Sequence, residues 1–335
     1  MSSNDVNPHS FQDKVARANP NLICTAKADA VRVITVKDLL QIRLRIPIFQ
    51  RRYCWSREQW RTLLGDVSRV AKGLNSTHAL GRITCAVKPD IPHEALVIDG
   101  QQRHTTCVLL LASLRDVMLQ RNPSEPMIDE INRLLFPDSK ALASWATARM
   151  ANSLAIEDTI LVDDGEDLSF AAVVPTYCDR VSFYIATLPP DLAPAGISGT
   201  QASTHSSSSN GTSSEKGICD KSDKKSGAIL AWRRPSEAKA YFLQELQARN
   251  DEELRALTAA LLGGLQWLFF PITMSSSSNS NDGTEDLAVI FERLAQRDAT
   301  CCRPHRRSEY ADMGAADFVR NLVKRGSDLY FRSRD

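Results

Sequence analysis

The sequence predicts a mixed α+β chain, on three observations. Short apolar runs such as "HALGRITCAVKP" (78–89) and "EALVIDG" (94–100) have strand length and end at proline or glycine. Longer runs repeat their apolar residues at i, i+3, i+4 and i+7, as an amphipathic helix does. Both kinds alternate over residues 31–120, whereas the pattern from 121 onward is mainly helical.

The elements follow in order. Residues 1–30 are polar and mixed, and are expected to form a poorly ordered arm. "VRVITVKDLL" (31–40) starts as a strand and turns helix-like. Residues 56–74 read as a helix, with Ser56 as N-cap and Trp60, Leu63, Leu64, Val67 and Val70 on one stripe. The two runs at 78–89 and 94–100 are strands, and 105–121 has helix length and apolar periodicity. Residues 121–188 are expected to be helical, with loops at "FPDSK" and "DDGED". Residues 189–228 are rich in Ser, Gly and Lys and cannot bury apolar surface, so they read as a disordered insert. Helices and a short strand resume over 229–274. "SSSSNSNDGT" (275–284) is a second low-complexity insert. "EDLAVIFERLAQR" and "AADFVRNLVKRG", within 285–335, are again helical.

Bulk properties narrow the function classes. With 335 residues, 43% of them hydrophobic, the chain can form one large core or two modest ones. Its 41 basic and 40 acidic residues leave a formal charge of +1, which excludes a polybasic nucleic-acid coat. No apolar stretch approaches the roughly 20 residues of a membrane span, and the N-terminus lacks a signal-peptide core. An intracellular protein without a membrane segment is the expectation. The eight cysteines are scattered, with no C-x-x-C, and read as free thiols in a reducing compartment.

The chemistry concentrates in "LVIDGQQRHTT" (96–106). A strand that passes through a glycine turn into a helix makes an anion site, because the first helical N–H groups lack partners and the macrodipole favours negative charge. Gly100 permits the turn and the close approach of a phosphate. Arg103 presents a planar fork suited to phosphate oxygens. Asp99 sits where it could hold a metal ion or a ribose hydroxyl. Gln101 and Gln102 could orient a water or a base edge, and Thr105 and Thr106 could cap the helix or touch phosphate. The plainer reading is a solvated turn with Arg103 paired to Asp99.

A second cluster is "RIPIFQRRYCW" (45–55). Arginine beside aromatic rings suits phosphate or base recognition, which brings in Gln50, Arg51, Arg52, Tyr53 and Trp55. Alternatively, Phe49, Tyr53 and Trp55 anchor the core and the arginines are surface charges. Weaker candidates read better as structure. Cys85 lies in a strand, "CCRPH" (301–305) lacks further zinc ligands, and "DDGED" (163–167) lacks the complete calcium-loop pattern. No Walker A motif, Rossmann fingerprint or G-x-S-x-G is present.

"IPIFQRRYCW", "ALG" and "LVIDGQQRHTTCVLLLASL", in this order and spacing, resemble the DUF262 family, the N-terminal domain of GmrSD-type modification-dependent restriction systems. "VVPTYCDRVSFY" (173–184) is similar to the family's x-P-T-x-x-D-R segment. "VIFERLAQRDA", followed by "GAADFVRNLV", is similar to its late segment, though Ala295 and Asp298 depart from it. The resemblance touches residues about 31–325. It implies a ParB/sulfiredoxin-like N-terminal α/β module over 31–120, followed by a largely helical region with two inserts. It further implies a nucleoside triphosphate, with Mg²⁺, held and hydrolysed at Asp99, Gly100, Gln101, Gln102 and Arg103, with Thr105, Gln50, Arg51 and Tyr53 assisting. His104 replaces the family's usual leucine, and its side chain is expected at the surface. None of the six histidines lies in an H-N-H context, so this chain is not expected to cut DNA itself, and DNA or a separate nuclease subunit is the expected partner. The alternative is a non-catalytic nucleic-acid or protein interaction module with a degenerate nucleotide site.

Overall fold

The computed structural model describes residues 31–47, 50–88, 91–151, 170–176, 179–192 and 234–273. The N-terminal arm, Phe49, "DDGED", both inserts, "CCRPH" and the late segment lie outside the described residues.

The described chain runs β1 (Arg32–Thr35), α1 (Val36–Leu39), β2 (Arg43–Arg45), α2 (Arg57–Ala71), β3 (His78–Lys88), β4 (Ile91–Asp99), α3 (Gln101–Arg121), α4 (Pro126–Leu135), α5 (Ser139–Ala151), β5 (Val173–Val174), α6 (Arg180–Thr187), α7 (Arg234–Gln247), α8 (Asp251–Ala259), a π-helical turn (Ala260–Gly264) and β6 (Leu265–Thr273). Ser56 and Gln59 form the capping box that starts α2, and the predicted stripe buries Trp60, Leu63, Leu64 and Val67. Thr35 and Asp38 form another at α1.

The six strands make one mixed sheet in the order β1-β6-β3-β4-β2-β5. β4, β2 and β5 run parallel, β3 opposes β4, and β6 is parallel to β3. The sheet therefore reaches past residues 31–120 and takes strands from 173–174 and 265–273. β6, expected as a short late strand, has nine residues and sits between β1 and β3.

Register divides the sheet into two faces. Ile34, Trp267, Ile83 and Phe269 share one face with Cys85, Val87, Val97, Ala95, Leu44 and Val173. All of these join the helices in a single core cluster. Within it α3 is central: Cys107 to Ala112 are each at most 2% exposed. Arg115 on α3 is fully buried. It donates to Asp116 Oδ1 at 2.8 Å, to the Thr187 carbonyl at 2.9 Å and to the Leu188 carbonyl at 2.8 Å, while Lys239 Nζ meets Asp116 Oδ2 at 2.6 Å. This network ties α3 to α7 and to the end of α6, and burial, helped by the Arg115 charge, brings the Lys239 ammonium down to about 8 despite its carboxylate partner.

Candidate functional site

The carboxyl ends of the parallel strands β2, β4 and β5 point the same way. They deliver three segments to one end of the sheet: residues 46–56, the Asp99–Gly100 turn with the start of α3, and residues 175–180. In open α/β sheets ligands bind in the crevice at such an end.

Gly100 links β4 to α3 with φ +95°, in the left-handed region. A Cβ there would stand 3.0 Å from Ile83 Cγ1 and 3.1 Å from the Arg82 carbonyl oxygen. α3 begins at Gln101, four residues before the predicted start, so the polar run is the helix's first turn. His104 N closes the first helical bond, onto the Gly100 carbonyl at 3.1 Å. No side chain caps the helix, which leaves the amides of Gln101, Gln102 and Arg103 without intrahelical partners. Asp99 Oδ1 accepts from the Gly100 amide at 2.8 Å, and Oδ2 lies 3.5 Å from Arg82 Nη2.

The two glutamines have different surroundings. The Gln102 carboxamide pairs with the 50–56 loop as a neighbouring strand would: Nε2 donates to the Arg52 carbonyl at 3.0 Å and Oε1 accepts from the Cys54 amide at 2.9 Å. Gln101 Nε2 reaches the Arg51 carbonyl at a long 3.4 Å, and its buried Oε1 has no hydrogen-bond partner among the described residues. Gln50 returns the contact by donating to the Ile98 carbonyl at 2.6 Å. The loop and the helix start are thus pinned to each other at several points.

Tyr53 deepens that attachment. Trp60 Nε1 donates to its hydroxyl at 2.8 Å, and the hydroxyl lies 2.8 Å from Thr106 Oγ1, which donates to the Gln102 carbonyl at 2.7 Å. The proton order is fixed, because Thr106 has used its hydrogen and Tyr53 must donate to it. Tyr53 is 4% exposed and its hydroxyl titrates far above the usual tyrosine range because of burial. It is a core anchor, as the plainer reading of the aromatics has it, and Trp55 packs against the same core.

Arg103 does not pair with Asp99. Its guanidinium donates to the Leu80 carbonyl and, at 3.2 Å, to the Arg82 carbonyl, with Cζ 5.5 Å from the Trp267 ring centroid. These carbonyls belong to an irregular stretch of β3 where Gly81 adopts φ +88°, and a Cβ on Gly81 would collide with Arg103 Nη1. Arg103 holds two strands at their irregularity. Thr105 is buried beside it.

His104 is a correction. It is 1% exposed rather than at the surface, and lies edge-on to Trp267 at 6.3 Å. Neither ring nitrogen has a partner among the described residues, and burial drives its pKa down to about 4.

The sequence reading missed Asp179 as a site residue. Its Oδ2 accepts from the Tyr53 amide at 2.7 Å and from Thr176 Oγ1 at 3.0 Å, which bolts the 50–56 loop to the third segment. Burial raises its pKa, against the pull of those two donors and of the Arg52 charge. The x-P-T-x-x-D-R segment contained the signal, but its spatial partner lies 126 residues away. Arg51 is half-buried and Arg52 exposed at the rim. Among the described residues no group of three metal-ligating side chains gathers, and no helix is long and apolar enough to cross a membrane. Cys85 and Cys107 are buried free thiols held protonated by desolvation, which fits Cys85 as core.

A comparison with curated proteins finds no match. The family model for the GmrSD restriction endonuclease, N-terminal domain, matches residues 36–298. That span takes in the two arginine-flanked motifs, the P-T-x-x-D-R segment and β6, and covers well over half of the chain, which therefore belongs to the GmrSD N-terminal domain family, also called DUF262.

Proposed function

We propose that this domain binds a nucleoside triphosphate in the crevice at the carboxyl ends of β2, β4 and β5 and hydrolyses it, as the regulatory part of a DNA-restriction-like system. The ParB/sulfiredoxin-like character of the sheet and its first helix is part of this reading. The observation that carries it is the uncapped start of α3, where three amides lack intrahelical partners directly after a left-handed glycine. Phosphate oxygens are the natural acceptors for them. Arg52 at the rim supplies charge, and Arg103 acts by positioning, since it holds β3, against which Gly100 packs. Asp99 stands beside the amides as the carboxylate available to a ribose hydroxyl or to a magnesium ion that arrives with the phosphates. Of the two glutamines, Gln101 is the one whose acceptor is left to orient a water, because Gln102 is bonded at both ends to the loop. Catalysis on this arrangement is positioning and charge neutralisation.

The binding test is the melting temperature with ATP, GTP, CTP or UTP and Mg²⁺, each protein compared with its own nucleotide-free state. A ligand at 100 times its Kd stabilises by about 2.7 kcal/mol, a shift of several degrees. Wild type should respond to one nucleotide, and Arg52→Ala and Arg103→Ala should lose most of that response. Phosphate release by the responding pair then tests turnover. The full use of Arg103 and Gln102 in internal contacts favours a second reading, a non-catalytic platform for DNA or protein. No shift with any nucleotide in cooperatively melting wild type, together with DNA retention that collapses between 50 and 200 mM salt, would establish that reading instead.

A further inference from the structure

We propose that Arg82 and Phe270, on the face of the sheet opposite Ile83 and Trp267, form the seat of the nucleobase. The inference rests on the nucleotide reading above and places the part of the ligand that the phosphate amides do not touch.

Register sets this pair beside the turn. Asp99, Thr84 and Phe270 are partners across β4, β3 and β6, so Phe270 lies two strand spacings, about 10 Å, from Asp99. Arg82 comes from the middle strand, two residues before Thr84. Its guanidinium reaches both neighbours: Nη2 lies 3.5 Å from Asp99 Oδ2, and Cζ lies 5.6 Å from the centroid of the Phe270 ring. The Arg82 carbonyl is also the atom that a Cβ on Gly100 would meet at 3.1 Å, so this residue borders the glycine itself.

The chemistry suits a planar ring. A guanidinium backed by an aromatic side chain is a flat and weakly hydrated surface, of the kind on which bases stack. The side chains of Arg82 and Asp99 are each about a third exposed. The contact between them is long, and a surface ion pair of this kind holds a side chain only weakly. The other charges of this face serve one another at closer range: Glu94 accepts from Arg43 at 3.2 Å and from Arg45 at 3.0 Å. Next to Arg82 the face opens to solvent, with its register partner Leu268 at 41% exposure and Val33 at 64%. A nucleotide with its phosphates on the first amides of α3 lays its ribose along Asp99 and its base over Arg82.

The test compares Kd values of the full chain for ATP, GTP, CTP, UTP and inorganic tripolyphosphate, each with Mg²⁺. The best-bound nucleotide should bind about tenfold or more tightly than tripolyphosphate, the contribution of one stacked base. Arg82→Lys keeps the charge without the plane, and Phe270→Leu keeps apolar bulk without the ring. Each should weaken that nucleotide about tenfold and leave tripolyphosphate within about twofold of wild type. Nucleotide binding unchanged in both variants overturns the seat, and so does an equal loss for the two ligands. Wild type that binds tripolyphosphate as tightly as any nucleotide overturns the seat and leaves the phosphate site standing. Wild type that binds neither overturns the seat together with the nucleotide reading. On wild type alone, photolysis of 8-azido-ATP, or of 5-azido-UTP if a pyrimidine binds best, should label residues 80–84 or 268–272. Label confined to residues 46–56 or 175–180 overturns the proposal as well.

Discussion

His104 sits on the first turn of α3 with a buried imidazole that has no hydrogen-bond partner among the described residues. In the unfolded chain it takes a proton near pH 6.5, and in the folded chain near pH 4. Between these values the unfolded state binds more protons, so stability present above pH 6.5 is lost progressively as the pH falls to 4. A depression of this size corresponds to about 3 kcal/mol. Urea midpoints of wild type should fall over this window, and His104→Leu should flatten the profile. Gly100 gives a second test at this scale. Gly100→Ala places a Cβ against Ile83 and the Arg82 carbonyl at a positive φ, and should cost about 1–3 kcal/mol in equilibrium unfolding. The need for Gly100 was legible from the D-G turn. The burial of His104 was not, because it is decided by Trp267, 163 positions later in the chain.

At the scale of elements, α2 was readable because it is amphipathic on its own period, and β3, β4 and α3 because their apolar runs have strand or helix length, whereas the three residues of β2 were too few to read as a strand. β5 escaped because two valines at a sheet edge carry no period. The start of α3 was placed late because Gln101 to His104 look solvated. Gln101, Gln102 and His104 are buried, the two glutamines against a loop 50 residues upstream whose backbone groups they satisfy. So many polar groups stand between two apolar segments because they join two pieces of chain. Tyr53→Phe should leave Trp60 Nε1 and Thr106 without their shared partner, at a cost of about 1–3 kcal/mol. Gln102→Leu should remove the bonds to the Arg52 carbonyl and the Cys54 amide, and hydrogen exchange across 50–56 should quicken in that variant while that of α7 stays unchanged.

For the whole molecule, the buried Arg115–Asp116–Lys239 network bears on alkaline behaviour. Lys239 loses its proton near pH 8 when folded and near 10.5 when unfolded. Between these the unfolded chain holds more protons, so Lys239 makes stability rise as pH rises through that window. Urea titrations at pH 8 and pH 9.5 should show the rise in wild type and not in Lys239→Met, once that variant is shown to melt cooperatively. His104 acts with the same sign lower on the scale, so both buried bases oppose folding in acid.

The pairing of β1 with β6 has a consequence in time. Arg32 lies opposite Phe269, and β6 fills the gap between β1 and β3. The first strand made therefore waits for the last one described. At about 5–20 residues per second on the ribosome the delay is roughly 10–50 s, during which β3 presents an unpaired edge. Long-range closure of this kind slows folding. Refolding should accordingly show an early phase in α3 fluorescence-silent signals such as far-ultraviolet dichroism, and a later one at Trp267, whose burial reports the arrival of the strand that completes the sheet.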